Sequence, residues 1–326
     1  MYTLSYIRQI LGLETSAVQD QELVDIVIDS RAILEGKRSL FVAIKASHRN
    51  GHDFIKSAYV KGVRCFLVSE PIASAEFPDA HFIEVKDTLV ALQTIAAAIR
   101  ATQHGPIIGI TGSNGKTIVK EWLAYLLEEK CKVYKSPLSY NSQIGVPLSV
   151  WKMPQVIDIG IFEAGISKKN EMNRLQDILK PNIGVLTHMG VAHQEGFENQ
   201  AAKIEEKLQL FSDCNTIIYH SDDEQVDHLM KQQYQDRQLL NWSTKDTNAK
   251  VYVEFSKQKT FTEIKLKSKE AVVMLTIPFA DDASIENAIT CFVALQATTL
   301  WDASLIHRFE SLPSIAMRLE LKKGMH

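Results

Sequence analysis

Residues 106–117 read Pro106-Ile107-Ile108-Gly109-Ile110-Thr111-Gly112-Ser113-Asn114-Gly115-Lys116-Thr117. The apolar run 107–110 suits a short buried strand, and the stretch after it is a glycine-punctuated loop ending in Gly-Lys-Thr. Beyond the loop, Val119, Trp122, Leu123, Leu126 and Leu127 recur at helical spacing. Strand, glycine loop and helix in that order are the context a phosphate-binding loop requires. A loop that cradles phosphate must curl so that its N–H groups point inward, which glycine permits. The helix N-terminus adds a positive dipole end. In that reading Lys116 neutralises the β- and γ-phosphates and the Thr117 hydroxyl holds Mg²⁺. The strict pattern puts a glycine five residues before Gly115. Ile110 stands there, with Gly109 one place off, so the loop is a variant bracketed by Gly112 and Gly115. The competing reading is an ordinary strand-to-helix turn that happens to contain Gly-Lys-Thr.

Working outward, the chain after 106 alternates strand and helix, as in a doubly wound, mostly parallel sheet. Strands are expected at 107–111, 157–162, 183–187, 215–219 and 238–241, with helices at 117–129, 169–179, 199–211 and 222–233. The rhythm then changes. Residues 250–256, 260–267 and 270–277 alternate polar and apolar, which predicts an antiparallel edge. Helices at 283–298 and near 302–310 follow. Residues 1–105 form a separate, smaller α/β pattern: a short helix at 4–11, strands at 24–28, 40–44, 65–68 and 81–85, and helices at 52–60 and 88–101. The polar break Thr102-Gln103-His104-Gly105-Pro106 marks a domain boundary. The organisation expected is α/β throughout: residues 1–105, then a phosphate-loop domain over 106–312, then a short stretch 313–326.

The composition bounds what such a chain does. Of 326 residues, 45% are hydrophobic and 23% charged, ordinary for a globular protein. A net charge of −3 gives no electrostatic case for nucleic acid or an anionic membrane. No apolar run approaches the roughly 18 residues of a membrane span. The N-terminus lacks a basic start and a long apolar core, so no signal peptide is expected. Cys65, Cys131, Cys214 and Cys291 are scattered without metal spacing, as reduced core residues of a cytoplasmic protein would be.

Other residues stand where chemistry is expected. Glu163 follows a strand of the sheet that carries the phosphate loop, and ligands sit at the carboxyl ends of such strands. It suits Mg²⁺, or equally a solvent-facing loop start. His188 and His193 follow the strand at 183–187, and spacing does not say which of them meets metal or phosphate. Lys207 flanks the apolar stripe Ile204, Leu208 and Phe211. Spacing alone reads it as a snorkelling lysine. Asn287 opens the helix at 283–298, where its amide could read a purine edge or simply face solvent.

Together these residues resemble the Mur ligases, ATP-dependent enzymes that add amino acids to the peptide of the cell-wall precursor. The matching stretches run in order: Asp29-Ser30-Arg31, Leu40-Phe41-Val42-Ala43, Gly51-His52-Asp53-Phe54, residues 111–117 with Val119-Lys120-Glu121, Asn141 with Ile144-Gly145-Val146-Pro147, and Glu163-Ala164-Gly165. His193-Gln194-Glu195-Gly196-Phe197, Lys207, Asn287-Ala288 and Met317-Arg318-Leu319 complete the series. The resemblance implies a small N-terminal domain that binds the UDP-linked precursor and a central ATPase domain. Thr111, Gly112, Ser113, Asn114, Gly115, Lys116 and Thr117 would hold the ATP phosphates, Asn287 the adenine, and Arg318 the nucleotide at a hinge. Thr117, Glu163 and His193 would hold Mg²⁺, and Lys207 would carry a carbamate formed with CO₂. Lys116, Glu163, His193 and Lys207 are the catalytic set it implies. Ser30 and Arg31 would contact uridine diphosphate, and Asn141 and Ser142 the muramoyl-peptide.

The implied partners are small molecules: UDP-N-acetylmuramoyl-tripeptide and D-alanyl-D-alanine, joined through an acyl phosphate by a monomer. The sequence departs from the family pattern in places. Ile118 stands where a second Thr or Ser is usual, His188 where Asn is common, Ala46 and Asn50 for Gly and Asp, and Ala283-Ser284 for a His-Asn pair. The family's third domain would begin where this sequence stops, so the chain is expected to bind ATP without completing ligation alone. Three alternatives remain at this point: a sister ligase adding the third amino acid, a non-catalytic nucleotide-binding module, and a phosphate-loop kinase.

Overall fold

The computed structural model describes residues 2–15, 20–46, 48–190 and 197–315. The chain divides into two compact units. One holds the residues up to His104 with Tyr140–Gln155 and Asp177–Leu179. The other holds Gly105–Ser139, Val156–Gln176 and the residues from Lys180 onward. Residues 140–155 and 177–179 thus lie in the first unit, whereas the sequence pattern assigns them to the stretch after 106.

In the first unit Asp25–Val27, Ser39–Val42, Cys65–Val68 and His81–Glu84 form a four-stranded parallel sheet in that order. Phe41, Phe66, Val68, Ile55 and Ala58 pack into its core. The helix Thr88–Ala101 starts where the Asp87 carboxylate accepts from the N–H groups of Leu89 and Val90, at 2.8 and 3.0 Å. The helix Gly145–Trp151 belongs to this unit, is buried along its whole length and packs on Thr88–Ala101.

The second unit is built on a nine-stranded sheet, counted among the described residues. Its order is Val133–Lys135, Ile159–Glu163, Ile107–Thr111, Ile183–Leu186, Thr216–His220, Gln238–Ser243, Val251–Lys257, Thr262–Lys267 and Val272–Ile277. The first seven strands run parallel. The last two pairings are antiparallel, with Val253 opposite Leu266 and Ile264 opposite Leu275. The expected antiparallel edge is therefore two hairpin pairings hung on a strand that is itself parallel to its other neighbour. The central strands are buried on both faces, which is why they read as continuous apolar runs. On one face the helices Lys116–Leu127 and Asp282–Gln296 bury Trp122, Leu123, Ile289 and Phe292 against the sheet. Among the described residues no helix is long and apolar enough to cross a membrane.

Candidate functional site

The strands Ile159–Glu163, Ile107–Thr111 and Ile183–Leu186 are neighbours and parallel, with Glu163 beside Ile110 and Leu186 beside Thr111. Their carboxyl ends therefore meet on one edge, where an open α/β sheet binds ligands. The glycine loop leaves the middle strand there. Thr187 and His188 fix it from the side. The His188 carbonyl accepts from the N–H groups of Ser113 and Asn114, at 2.9 and 3.2 Å, and the Thr187 hydroxyl donates to the Asn114 carbonyl at 2.6 Å. Gly112 and Gly115 hold φ of +145° and +86°. A Cβ on Gly112 would lie 2.0 Å from Thr187 Oγ1, and one on Gly115 would lie 2.3 Å from Asn287 Oδ1. Glycine is thus required at both positions, and Asn287 is packed against the loop.

The helix Lys116–Leu127 starts at Gly115, an N-cap residue with no side chain to cap its first turn. Its leading N–H groups are left for a ligand at the positive end of the helix. Lys116 Nζ folds back onto the loop, donating to the carbonyls of Gly112 at 2.8 Å and Ser113 at 3.2 Å. Lys207 Nζ donates to the same Gly112 carbonyl at 3.0 Å from the helix Gln200–Leu208. Burial, with Lys116 and Lys203 nearby, pulls the Lys207 amine down to about 7. Burial also lowers Lys116, with Glu163 opposing. The reading of Lys207 as a snorkelling surface lysine is thereby corrected: its side of the helix faces the loop, and the residue is 3% exposed. Ammonium groups crowded onto a carbonyl-lined loop favour a polyanion.

Glu163 is fully buried, which rules out the solvent-facing alternative. Thr117 Oγ1 donates to its Oε2 at 3.0 Å, and Lys120 Nζ donates to its Oε1 at 3.0 Å. Among the described residues the buried Thr111 hydroxyl at the loop's entrance has no hydrogen-bond partner. Hydroxyl and carboxylate oxygens are the hard donors Mg²⁺ takes, and Mg²⁺ needs only one or two of them beside substrate phosphates and water. The donor set therefore fits Mg²⁺. Among the described residues no group of three or more His, Cys, Asp or Glu side chains converges as a self-sufficient metal cage. His193 and Arg318 lie outside the described residues.

A profile for the Mur ligase middle domain matches residues 110–295. This chain belongs to the Mur ligase family. Curated Mur ligases resemble it along its length. The UDP-N-acetylmuramoyl-tripeptide–D-alanyl-D-alanine ligase of Bacillus subtilis is 28% identical over 291 residues, covering 88% of this chain and 62% of that protein. The enzyme of the same description from Synechocystis is 35% identical over 198 residues, covering 61% of this chain and 43% of that one. The chain thus spans about two fifths to three fifths of the length of these relatives. A crystal structure of MurF from Acinetobacter baumannii superposes with a TM-score of 0.84 at 19% identity, over 96% of this chain and 69% of that one. A MurF ligase from Thermotoga maritima in complex with ADP gives 0.78 at 22% identity, over 89% and 66%. These likenesses establish a Mur ligase fold.

Lys116, Thr117, Glu163, Lys207, Asn287 and the loop residues are brought together within the second unit. Ser30, Arg31, Asn141 and Ser142 fall in the first. There Ser30 is buried, and its carbonyl accepts from Lys61 at 2.8 Å. The exposed Arg31 guanidinium grips Asp29, at 2.6 Å from Oδ2, and holds that carboxyl well below its usual range. Ser142 Oγ accepts from Gly145 N–H at 3.1 Å and so starts a helix. Sequence reasoning gave no role to Lys120, Thr187 or Glu286. The carboxylate of Glu286 lies 3.2 Å from His188 Nδ1. The signal for Lys120 was its position: a lysine within the stripe Lys116, Val119, Leu123 and Leu127 does not face water.

Proposed function

We propose that this chain carries the nucleotide- and precursor-binding parts of an ATP-dependent ligase that joins D-alanyl-D-alanine to UDP-N-acetylmuramoyl-tripeptide. The observation that carries the reading is one arrangement: Lys116, Lys207, Thr117 and Glu163 gathered at an uncapped helix N-terminus on the carboxyl edge of a parallel sheet. The names of the relatives supply the substrates. The first unit, with Ser30, Arg31, Asn141 and Ser142, is the proposed precursor-binding part, and the second is the ATPase part. Arg318 and Asn287 are proposed nucleotide contacts.

In the proposed reaction the terminal carboxylate of the tripeptide attacks the γ-phosphorus of ATP, giving an acyl phosphate and ADP. The dipeptide amine then attacks the acyl carbon, phosphate leaves with the electron pair of its C–O bond, and the new amide sheds a proton. Lys116 swings from the Gly112 and Ser113 carbonyls to the phosphates, and the first-turn N–H groups of Lys116–Leu127 hold their oxygens. Thr117 and Glu163, with His193, would hold Mg²⁺, which when bound would supply positive charge against the phosphates. Lys207 keeps a positive or hydrogen-bonding group over the loop. Carbamylation of Lys207 is a narrower proposal. The relatives give it no support; what favours it is a buried amine near neutrality, whose uncharged form reacts with CO₂.

Calorimetric titration with Mg²⁺·ADP and with UDP-N-acetylmuramoyl-tripeptide tests the reading. Wild type is expected to bind both, and Lys116→Met to bind ADP more weakly while keeping the precursor. Equal ADP affinity in the two proteins would remove its basis.

A further inference from the structure

We propose that Lys120 is a positioning residue that sets which metal the loop accepts, by leaving Glu163 a single oxygen to offer. The inference rests on the reading of the loop as a Mg²⁺–nucleotide site. Both side chains are fully buried. Lys120 Nζ donates to Glu163 Oε1 at 3.0 Å, to the Ser136 carbonyl at 2.8 Å and to the Leu138 carbonyl. An ammonium has three protons, and here each has an acceptor, so the group is fixed in place. Glu121 Oε1 stands 3.3 Å away on the same helix. On the other side of the carboxylate, Thr117 Oγ1 lies 3.0 Å from Oε2 and 3.3 Å from Oε1.

The chemistry follows from this geometry. Oε1 is held by a charge-assisted bond, so a cation entering beside the Thr117 hydroxyl meets Oε2 first and takes Oε1 only in competition with the ammonium. One-oxygen ligation suits Mg²⁺, which makes short octahedral bonds to one or two carboxylates and fills the rest with phosphate and water. Ca²⁺ gathers roughly six to eight oxygens and favours a carboxylate that gives both. Lys120 thus aims Glu163 and denies Ca²⁺ its second oxygen.

The experiment titrates the chain with Mg²⁺ and with Ca²⁺, each in saturating ADP, and compares wild type with Lys120→Met and Lys120→Arg. Lys120→Met is expected to lose about ten- to a hundredfold in Mg²⁺ affinity, as loss of an outer partner does, and to lose less for Ca²⁺, so the preference for Mg²⁺ contracts. Lys120→Arg, which keeps a cation on Oε1, retains more of the preference. A Mg²⁺-to-Ca²⁺ ratio unchanged in Lys120→Met overturns the proposal. ADP binding in EDTA relies on Lys116 and not on Glu163. Its absence in wild type would sink the nucleotide reading itself and the proposal with it. If circular dichroism finds Lys120→Met unfolded, the wild type decides by infrared spectroscopy. The carboxylate bands that shift on adding Mg²⁺, assigned by their loss in Glu163→Gln, must show the wide splitting of one-oxygen ligation. The narrow splitting of two-oxygen ligation refutes the proposal.

Discussion

Replacing Lys207 with Met should make the unliganded protein more stable while weakening its hold on nucleotide. Burial and the neighbouring Lys116 and Lys203 move this amine from 10.5 to about 7. Between those values the unfolded chain carries a proton on Lys207 that the folded chain lacks, so stability rises with pH across the window. Below pH 7 both states are protonated and the penalty is complete; above 10.5 it is gone. At about 1.36 kcal/mol per unit, the penalty reaches an upper bound of about 5 kcal/mol. Methionine fills a similar volume but forgoes the bond to the Gly112 carbonyl, worth about 1 kcal/mol. The net expectation near pH 7 is a gain on the order of 2–4 kcal/mol. Urea unfolding in bicarbonate-free buffer, from about pH 6 to 10, measures it. The wild-type midpoint should climb with pH, and the Lys207→Met midpoint should start higher and vary less. A variant less stable at every pH, with the wild-type slope intact, would refute the reasoning.

Other outcomes follow from the same geometry. Gly115→Ala puts a Cβ at φ +86° and 2.3 Å from Asn287 Oδ1, so thermal unfolding should show a loss of about 1–3 kcal/mol and ADP binding should fall. Adding Asn287→Ala to Gly115→Ala should recover part of the stability, since the close contact goes while the strained φ remains. Lys116→Met should weaken ADP by about 1.5–3 kcal/mol, the worth of a bond to a charged group, as read by calorimetry. Phe66→Ala opens a void between Phe41 and Phe82, whose rings lie 6.1 and 5.2 Å from that of Phe66. It should lower stability by about 3–5 kcal/mol in urea.

The phosphate loop was legible because three local signals agree there: an apolar run, glycines where the backbone turns, and a helical stripe beyond. The strand Ile107–Thr111 and the helix Thr88–Ala101 fall at the bounds expected from the sequence. Shorter elements escaped. Val133–Lys135 has three residues, too few for a period. Gly145–Trp151 is buried on all sides, so no polar face marks it as helical. The strand Val251–Lys257 alternates like an antiparallel one, yet it meets Gln238–Ser243 in parallel over two residue pairs only. Alternation reports a half-buried face and not the direction of a neighbour. The site divides the same way. Residues inside the loop carry their chemistry in their spacing. Thr187 and Glu286 act on it from elsewhere in the chain, and only folding brings them near; Lys120 lies on the loop's own helix, but its partner Glu163 is on another strand. Lys207 reads as an ordinary helix-surface cation until the opposing loop is seen to cover it.

The anchoring of Ser113 and Asn114 to the His188 carbonyl has a thermodynamic corollary. Those two amides, with the Thr187 hydroxyl on Asn114, give the loop its curvature before any ligand arrives. The ordering entropy of that segment is settled when the sheet forms, so an incoming anion meets a rigid receptor and loses little affinity to loop organisation. What does move is one ammonium, Lys116, which must exchange two carbonyls for phosphate oxygens. Association at this edge should therefore register in calorimetry as an enthalpic exchange of hydrogen-bond partners, with a heat-capacity change too small for a folding segment.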